Sequence, residues 1–189
     1  MGETARRRAT YEDVLTLPEN VVGQIVDGEL IVHPRPSTDH AIASGALHDD
    51  LRGPFDRGRD GPGGWWILFE PELHLGADAL VPDLAGWRRE RVPAMPRAPF
   101  LTVPPDWVCE VLSPNTAAFD RARKLPIYAR REVAHAWLVD PATRTLEVFR
   151  REGARWVLLG VFTGEAKVRA EPFDAVELDL APLWMPDER

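Results

Sequence analysis

The sequence predicts one mixed α/β domain: a central mixed sheet flanked by helices, with an N-terminal hairpin before it and extra strands after it. Three observations carry that reading. Short apolar runs recur along the chain, parted by glycine- and proline-bearing turns. Two main stretches, one opened by Ser37-Thr38-Asp39 and one by Ser113-Pro114-Asn115-Thr116, join a helix-start signal to apolar residues at helical spacing. At 189 residues the chain holds one full core and is short for two, and no repeat, low-complexity tract or linker divides residues 1–189.

Taken in order, residues 1–9 are expected to form a flexible basic arm. Thr10 can cap a short helix to about Leu17, with Glu12 and Asp13 placed favourably in its first turn. Residues 21–26 and 29–33 are apolar runs joined by Asp27-Gly28, the strongest hairpin signal present. Pro-Arg-Pro-Ser-Thr breaks the second run. A helix then carries Ile42, Ala46, Leu47 and Leu51 and should end near Gly53-Pro54. Residues 56–64 form a loop; it is no phosphate-binding P-loop, because no Gly-Lys-Ser/Thr follows it and it leads into a strand.

The runs WWILFE and ELHL read as strands with Pro71 as a bulge or edge position, and LVPDLAGW as the next strand after a turn at residues 76–79. Residues 88–105 form an irregular loop, long enough to suggest a function. Residues 107–112 read as a buried strand. The second helix should run to about Arg130, burying Ala118, Leu125 and Tyr128, with a kink or break at Pro126. Three more strands, AHAWLVD, TLEVFR and RWVLLGVF, precede a last short strand and terminal turn.

Composition narrows the function classes. No run of about 18 apolar residues exists, so no membrane span is expected. The polar N-terminus lacks an apolar signal core, and the single cysteine, Cys109, permits no internal disulfide; a cytoplasmic protein is expected. Cys109 itself reads as a small core residue. The net charge of −7 runs against non-specific DNA binding, which favours basic surfaces. The arginines are clustered, however. Arg88, Arg89, Arg91 and Arg97 follow one apolar run; Arg121, Arg123, Lys124, Arg130 and Arg131 follow another. They can form a basic rim on an acidic protein. A solvated helix face and a charged loop account equally well for any one of them.

Two apolar runs each carry one carboxylate, Asp83 and Glu110. Alternation puts Val108, Glu110 and Leu112 on one strand face. A glutamate there is costly unless paired or metal-bound. Two carboxylates on neighbouring strands suit magnesium, which takes hard oxygen ligands and activates water. Asp83 also fits ordinary turn chemistry after Pro82. Lys124 can place a positive charge by the reacting groups, form a helix ion pair with Asp120 one turn away, or be solvated. The histidines, at 33, 40, 48, 74 and 135, show no zinc spacing, and no Gly-x-Ser-x-Gly is present. Trp87, beside the basic loop, is the tryptophan best placed to touch a ligand.

The string VPDLAGW, followed by WVCEVLSPNTAAFDRARKLPIYARREVAHAWLVDP, resembles the Uma family of putative restriction endonucleases in the PD-(D/E)XK nuclease superfamily. The likeness reaches upstream to IVDGELIVHPRPSTDH and downstream to FDAVELDLAPLW. It implies a restriction-endonuclease-like core and DNA as substrate. It further implies Asp83 and Glu110 as catalytic metal ligands for Mg2+ or Mn2+, with Lys124 as the catalytic lysine. One departure matters: the lysine expected two residues after the acid is Leu112, so Lys124 would substitute from the following helix. Gln24 stands where many relatives have glutamate, which leaves Glu29 as the hairpin's acidic candidate. His40, Glu70 and Asp120 are further candidates, and Arg88, Arg89, Arg121 and Arg123 are candidates for holding DNA. Cutting both strands implies a homodimer. Two other readings compete. One is a catalytically silent nuclease fold that binds nucleic acid or serves in assembly, which the charge and Leu112 favour; the other is a small phosphate-ester hydrolase using the same site.

Overall fold

The structure, a computed structural model, describes residues 7–33 and 36–186. Residues 1–6 of the expected arm and Pro34-Arg35 of the expected strand break lie outside the described residues. Chain order is α1 (Tyr11–Leu15), β1 (Val22–Val26), β2 (Glu29–His33), α2 (Thr38–Leu51), β3 (Trp65–Phe69), β4 (Leu73–Leu75), β5 (Asp78–Leu80) and β6 (Leu84–Arg88). Then come β7 (Trp107–Val111), α3 (Ala117–Phe119), α4 (Leu125–Arg130), β8 (His135–Asp140), β9 (Thr145–Glu152), β10 (Arg155–Thr163), β11 (Lys167–Val168) and β12 (Leu178–Asp179).

The main sheet has six strands in the order β10-β9-β8-β7-β6-β3. All neighbours are antiparallel except β7 and β8, which run parallel. A parallel pair needs a crossover, and α3 and α4 supply it. A second sheet has the order β2-β1-β5-β4.

Strand β7 shows how the layers form. Trp107, Cys109 and Val111 pack with Ala43, Leu47 and Leu51 of α2 and with Phe173, Leu180 and Trp184 of the closing segment. Val108 and Leu112 point the other way, into a core with Ile127 and Tyr128 of α4 and Val26, Leu73 and Leu80 of the second sheet. The expected alternation therefore holds, and Glu110 belongs to the α4 face. On the opposite face Phe173 lies among Phe55, Trp65, Trp107 and Trp137, with ring centroids 4.7, 4.9, 4.9 and 5.5 Å away. Such ring pairs contribute about 0.5–1.5 kcal/mol each beyond buried area.

The hairpin forms as expected. Asp27 and Gly28 both have positive φ, 52° and 84°, and Val26 pairs with Glu29, the geometry of a two-residue primed turn. Residues 7–9, expected in the arm, make contacts: Ala9 N–H bonds to the Gly28 carbonyl at 2.8 Å, and Arg7 pairs with Asp13 at 2.6 Å. Thr10 does open α1, with its N–H 2.8 Å from the Asp13 carboxylate, although the helix stops at Leu15.

Two expectations, the single LVPDLAGW strand and the burial of Ala118, are corrected, and others are sharpened. LVPDLAGW is not one strand: β5 joins the second sheet and β6 the main sheet, because Pro82 cannot extend a ladder. Asp83 therefore sits at the corner where the chain changes sheets. Helix α2 ends at Leu51, close to the expected Gly53-Pro54, and a wide π turn over Arg52–Asp56 follows it. Its fully buried face is Ala43, Ser44, Leu47 and Leu51, with Ile42 only half-buried. The second helix is divided by a π turn at Asp120–Lys124, just before Pro126, whose missing N–H makes a regular helix costly there. Ala118 is exposed and Asp120 and Lys124 are buried in its place. The 88–105 loop lacks strands but is anchored, since Trp66 and Trp87 donate to the Val92 and Val103 carbonyls at 2.8 and 2.9 Å.

Candidate active site

The β6–β7 ladder ends where Leu84 pairs with Cys109, and Asp83 and Glu110 are the next residues beyond that pair. Asp83 accepts the Val111 N–H on Oδ2 at 2.6 Å, while His40 of α2 lies 3.0 Å from Oδ1. Glu110 is only 2% exposed. Its two oxygens are held by two donors from one helical segment: Lys124 Nζ is 2.7 Å from Oε2, and the Tyr128 hydroxyl is 2.6 Å from Oε1. Lys124 also donates to the Val81 carbonyl at 3.3 Å and lies 3.7 Å from Asp120.

The π turn explains this convergence. In a regular α-helix, residues four apart overshoot a full turn by about 40°, so a row of three drifts off one face. The wider turn at Asp120–Lys124 undershoots and cancels that drift. Asp120, Lys124 and Tyr128 then all reach the face that covers β7.

A pocket of about 310 Å³ opens over this cluster, lined by Gln24, His33, His40, Glu70, Asp83, Glu110, Asp120 and Lys124 among others. Gln24 is buried and accepts the Val81 N–H at 2.9 Å, which ties the hairpin sheet to the corner holding Asp83. The Nδ1 atom of His40 is buried without a protein hydrogen-bond partner, as are Trp107 Nε1 and Arg131 Nε elsewhere.

Charge in the pocket is unbalanced. Burial pushes the Glu110 carboxyl up to about 8; Lys124 opposes this, and Asp120 and Asp83 add to it. Burial also raises Asp120 against the pull of Lys124. The lysine is raised despite burial, because Glu110, Asp120 and Asp83 all favour its charged form. For His40, burial works downward but the bond to Asp83 outweighs it, leaving the imidazole raised. The Tyr128 hydroxyl is driven well up by burial and by Glu110. Like-charge crowding of this kind is a signature of functional sites.

The structure thus brings together Asp83, Glu110, Lys124, His40, Glu70 and Asp120. It does not bring the other candidates. Glu29 pairs with Arg123 at 3.2 Å and does not line the pocket, so the hairpin's contribution there is Gln24. Arg88 and Arg89 lie at the far end of β6, their guanidinium groups 4.5 Å over Trp65 and 3.4 Å over Trp66, and Arg89 pairs with Asp56. Arg121 pairs with Glu147, and Arg123 also with Asp27, on the turn that carries Asp120 and Lys124. Lys124 is 3% exposed, which removes the solvated-lysine alternative. Trp87, fully buried, cannot touch a ligand. Tyr128 and His33 are the additions that the sequence reading missed as site residues. Tyr128, four residues after Lys124, carried a usable signal of a shared helix face.

The donor chemistry fits a hard divalent cation. Asp83 and Glu110 offer carboxylate oxygens at one pocket, and each oxygen keeps a lone-pair site beyond the donors described. Among the described residues no three His, Cys, Asp or Glu side chains converge as a ready-made metal cluster.

No curated protein matches the chain. A solved structure of a putative nuclease belonging to DUF820 from Anabaena variabilis is similar, with a TM-score of 0.74 at 22% identity, covering 93% of this chain and 97% of that one. The shared architecture confirms the nuclease-like mixed α/β fold. No helix among the described residues is long and apolar enough to cross a membrane. The model of the Uma2 family, described as a putative restriction endonuclease, matches residues 10–181, and this chain belongs to that family.

Proposed function

We propose that the chain is a divalent-metal-dependent endonuclease that hydrolyses DNA phosphodiester bonds, working as a homodimer in the cytoplasm. The observation that carries this reading is the unbalanced pocket: Asp83, Glu110 and Asp120 meet only Lys124 and His40, so acids outnumber bases and a cation can take the place of the proton that burial holds on Glu110. Asp83 and Glu110 would hold magnesium or manganese. When bound, the ion supplies Lewis-acid polarisation of a phosphoryl oxygen and a more acidic water.

The chain's own residues have separable roles. Lys124 favours the charged form of Glu110 against the burial that raises it, and presents a cation at the pocket wall, beside the scissile phosphate or the attacking water. His40 holds one oxygen of Asp83 while the Val111 N–H holds the other, which aims the carboxylate. Arg121 and Arg123, on the turn that carries Lys124, would hold the DNA backbone. Arg88 and Arg89 serve the scaffold instead.

A second reading, a silent nuclease fold that binds nucleic acid or serves in assembly, draws on a specific feature. Both Glu110 oxygens already have donors, and the net charge is −7. Calorimetric titration of Mg2+ and Mn2+ into wild type and Glu110→Ala, with nicking of supercoiled plasmid scored in the same samples, separates the two. Metal binding and nicking confined to wild type support the enzyme. Metal binding without cleavage of any nucleic acid form supports the silent fold, and the lack of both sinks the metal site altogether.

A further inference from the structure

Glu110 is gripped from two sides that are not equivalent. Its Oε2 faces Lys124, which lines the pocket; its Oε1 faces Tyr128, which does not. Tyr128 is fully buried, and its hydroxyl lies 2.6 Å from the carboxylate. The ring packs in the core between α4 and β7 with Ile127, Val108 and Leu138, so it cannot swing to follow a ligand. It therefore acts on Glu110 from behind.

We infer that Tyr128 is a positioning residue of the metal site: its hydroxyl locks the Glu110 carboxylate in the rotamer that turns Oε2 toward the pocket. This inference rests on the metal-dependent reading given above. Helical spacing is part of the device, because Lys124 and Tyr128, four residues apart, reach the same carboxylate from consecutive turns. Glu110 is thereby held in place before any ligand arrives. Partners of this kind, which touch a ligand but not the metal, typically set affinity by about 10–100-fold.

The test is calorimetric titration of Mn2+ into wild type and Tyr128→Phe, with circular dichroism and a thermal melt to show that the variant is folded. Removing only the hydroxyl should weaken Mn2+ binding by about 10–100-fold while the fold is kept. Equal affinity in a folded Tyr128→Phe overturns the inference and leaves the metal site standing. A flat wild-type isotherm ends the metal reading and this inference with it. A measurement on wild type guards against a variant that does not fold. The chain has 2 tyrosines, so Cζ-labelled tyrosine gives two carbon resonances, assigned with Tyr11→Phe. Saturating Mg2+ should move the Tyr128 resonance and leave that of Tyr11 in place; an unmoved Tyr128 signal overturns the inference.

Discussion

The two ends of strand β6 handle charge in opposite ways. At its far end the arginines are held singly, Arg88 over the Trp65 ring and the next two by carboxylates. Arg89 lies over Trp66 and pairs with Asp56, and Arg91 meets Asp106 at 2.9 Å. These groups keep partial contact with water, and no excess of carboxylates gathers there. At the near end Asp83, Glu110 and Asp120 crowd around Lys124 with His40 alongside, so acids outnumber bases in a largely buried cluster. Neutral surface pairs add little to stability and cost little. A buried excess of one sign is costly, and a fold keeps it where the charge is used. The sequence alone shows arginines following both carboxylate runs; only the packing separates scaffold from site.

The sharpest way to break this contrast is to neutralise one group at each end. Asp83→Asn and Glu110→Gln should each lower plasmid nicking by at least about 100-fold, since ligand loss exceeds the effect of losing a ligand's partner. Arg89→Ala should leave nicking within about twofold and instead lower stability by about 1–2 kcal/mol, the scale of a lost cation–π contact and ion pair. Activity assays and chemical denaturation on the same preparations check both. A large activity loss in Arg89→Ala would undo the assignment of that end to scaffold.

A smaller effect follows from the Glu110 carboxyl. Its folded value, about 8, lies above the ordinary 4.5, so between those values the folded chain keeps a proton that the unfolded chain has released. Stability in metal-free protein should therefore fall as pH rises through that window. The raised His40 adds in the same direction above 6.5, the lowered His33 opposes it below 6.5, and the raised Lys124 acts only above 10.5. Glu110→Gln, which cannot ionise, should flatten the profile. Thermal midpoints in chelator from about pH 5 to about pH 8 measure it, and parallel slopes for the two proteins would show that Glu110 is not the group responsible.

Much of this was legible because local physics acts over short windows. The Asp27-Gly28 hairpin, the Thr10 and Ser37 helix starts and the alternation along β7 depend on neighbours in sequence, and all three form. Glu110 stood out as a polar residue on an apolar face. What stayed hidden needed tertiary information. The split of LVPDLAGW depends on a second sheet being present to take β5. Tyr128 read as core, which it is, but its hydroxyl acquires a role only once β7 lies beneath α4. The arginines defeated the reading for a related reason: their partners Asp56, Glu147 and Asp27 lie 33, 26 and 96 residues away.

The smallest expected effect concerns those arginines and DNA. Each phosphate contact removed from a duplex-binding surface lowers the slope of log affinity against log salt by about 0.9. Arg121 and Arg123 border the pocket helix, and their present partners, Glu147, Asp27 and Glu29, are surface carboxylates that a phosphate can replace at little cost. Arg88 is held over the Trp65 ring at the other end of the strand. Fluorescence anisotropy with a labelled duplex over a salt series should show Arg121→Ala and Arg123→Ala each losing about 0.9 in slope, with Arg88→Ala unchanged. If Arg88→Ala loses as much, DNA crosses both ends of β6. The balanced end would then be a binding surface whose internal pairs exchange for phosphates, and charge balance would no longer separate scaffold from site in this fold.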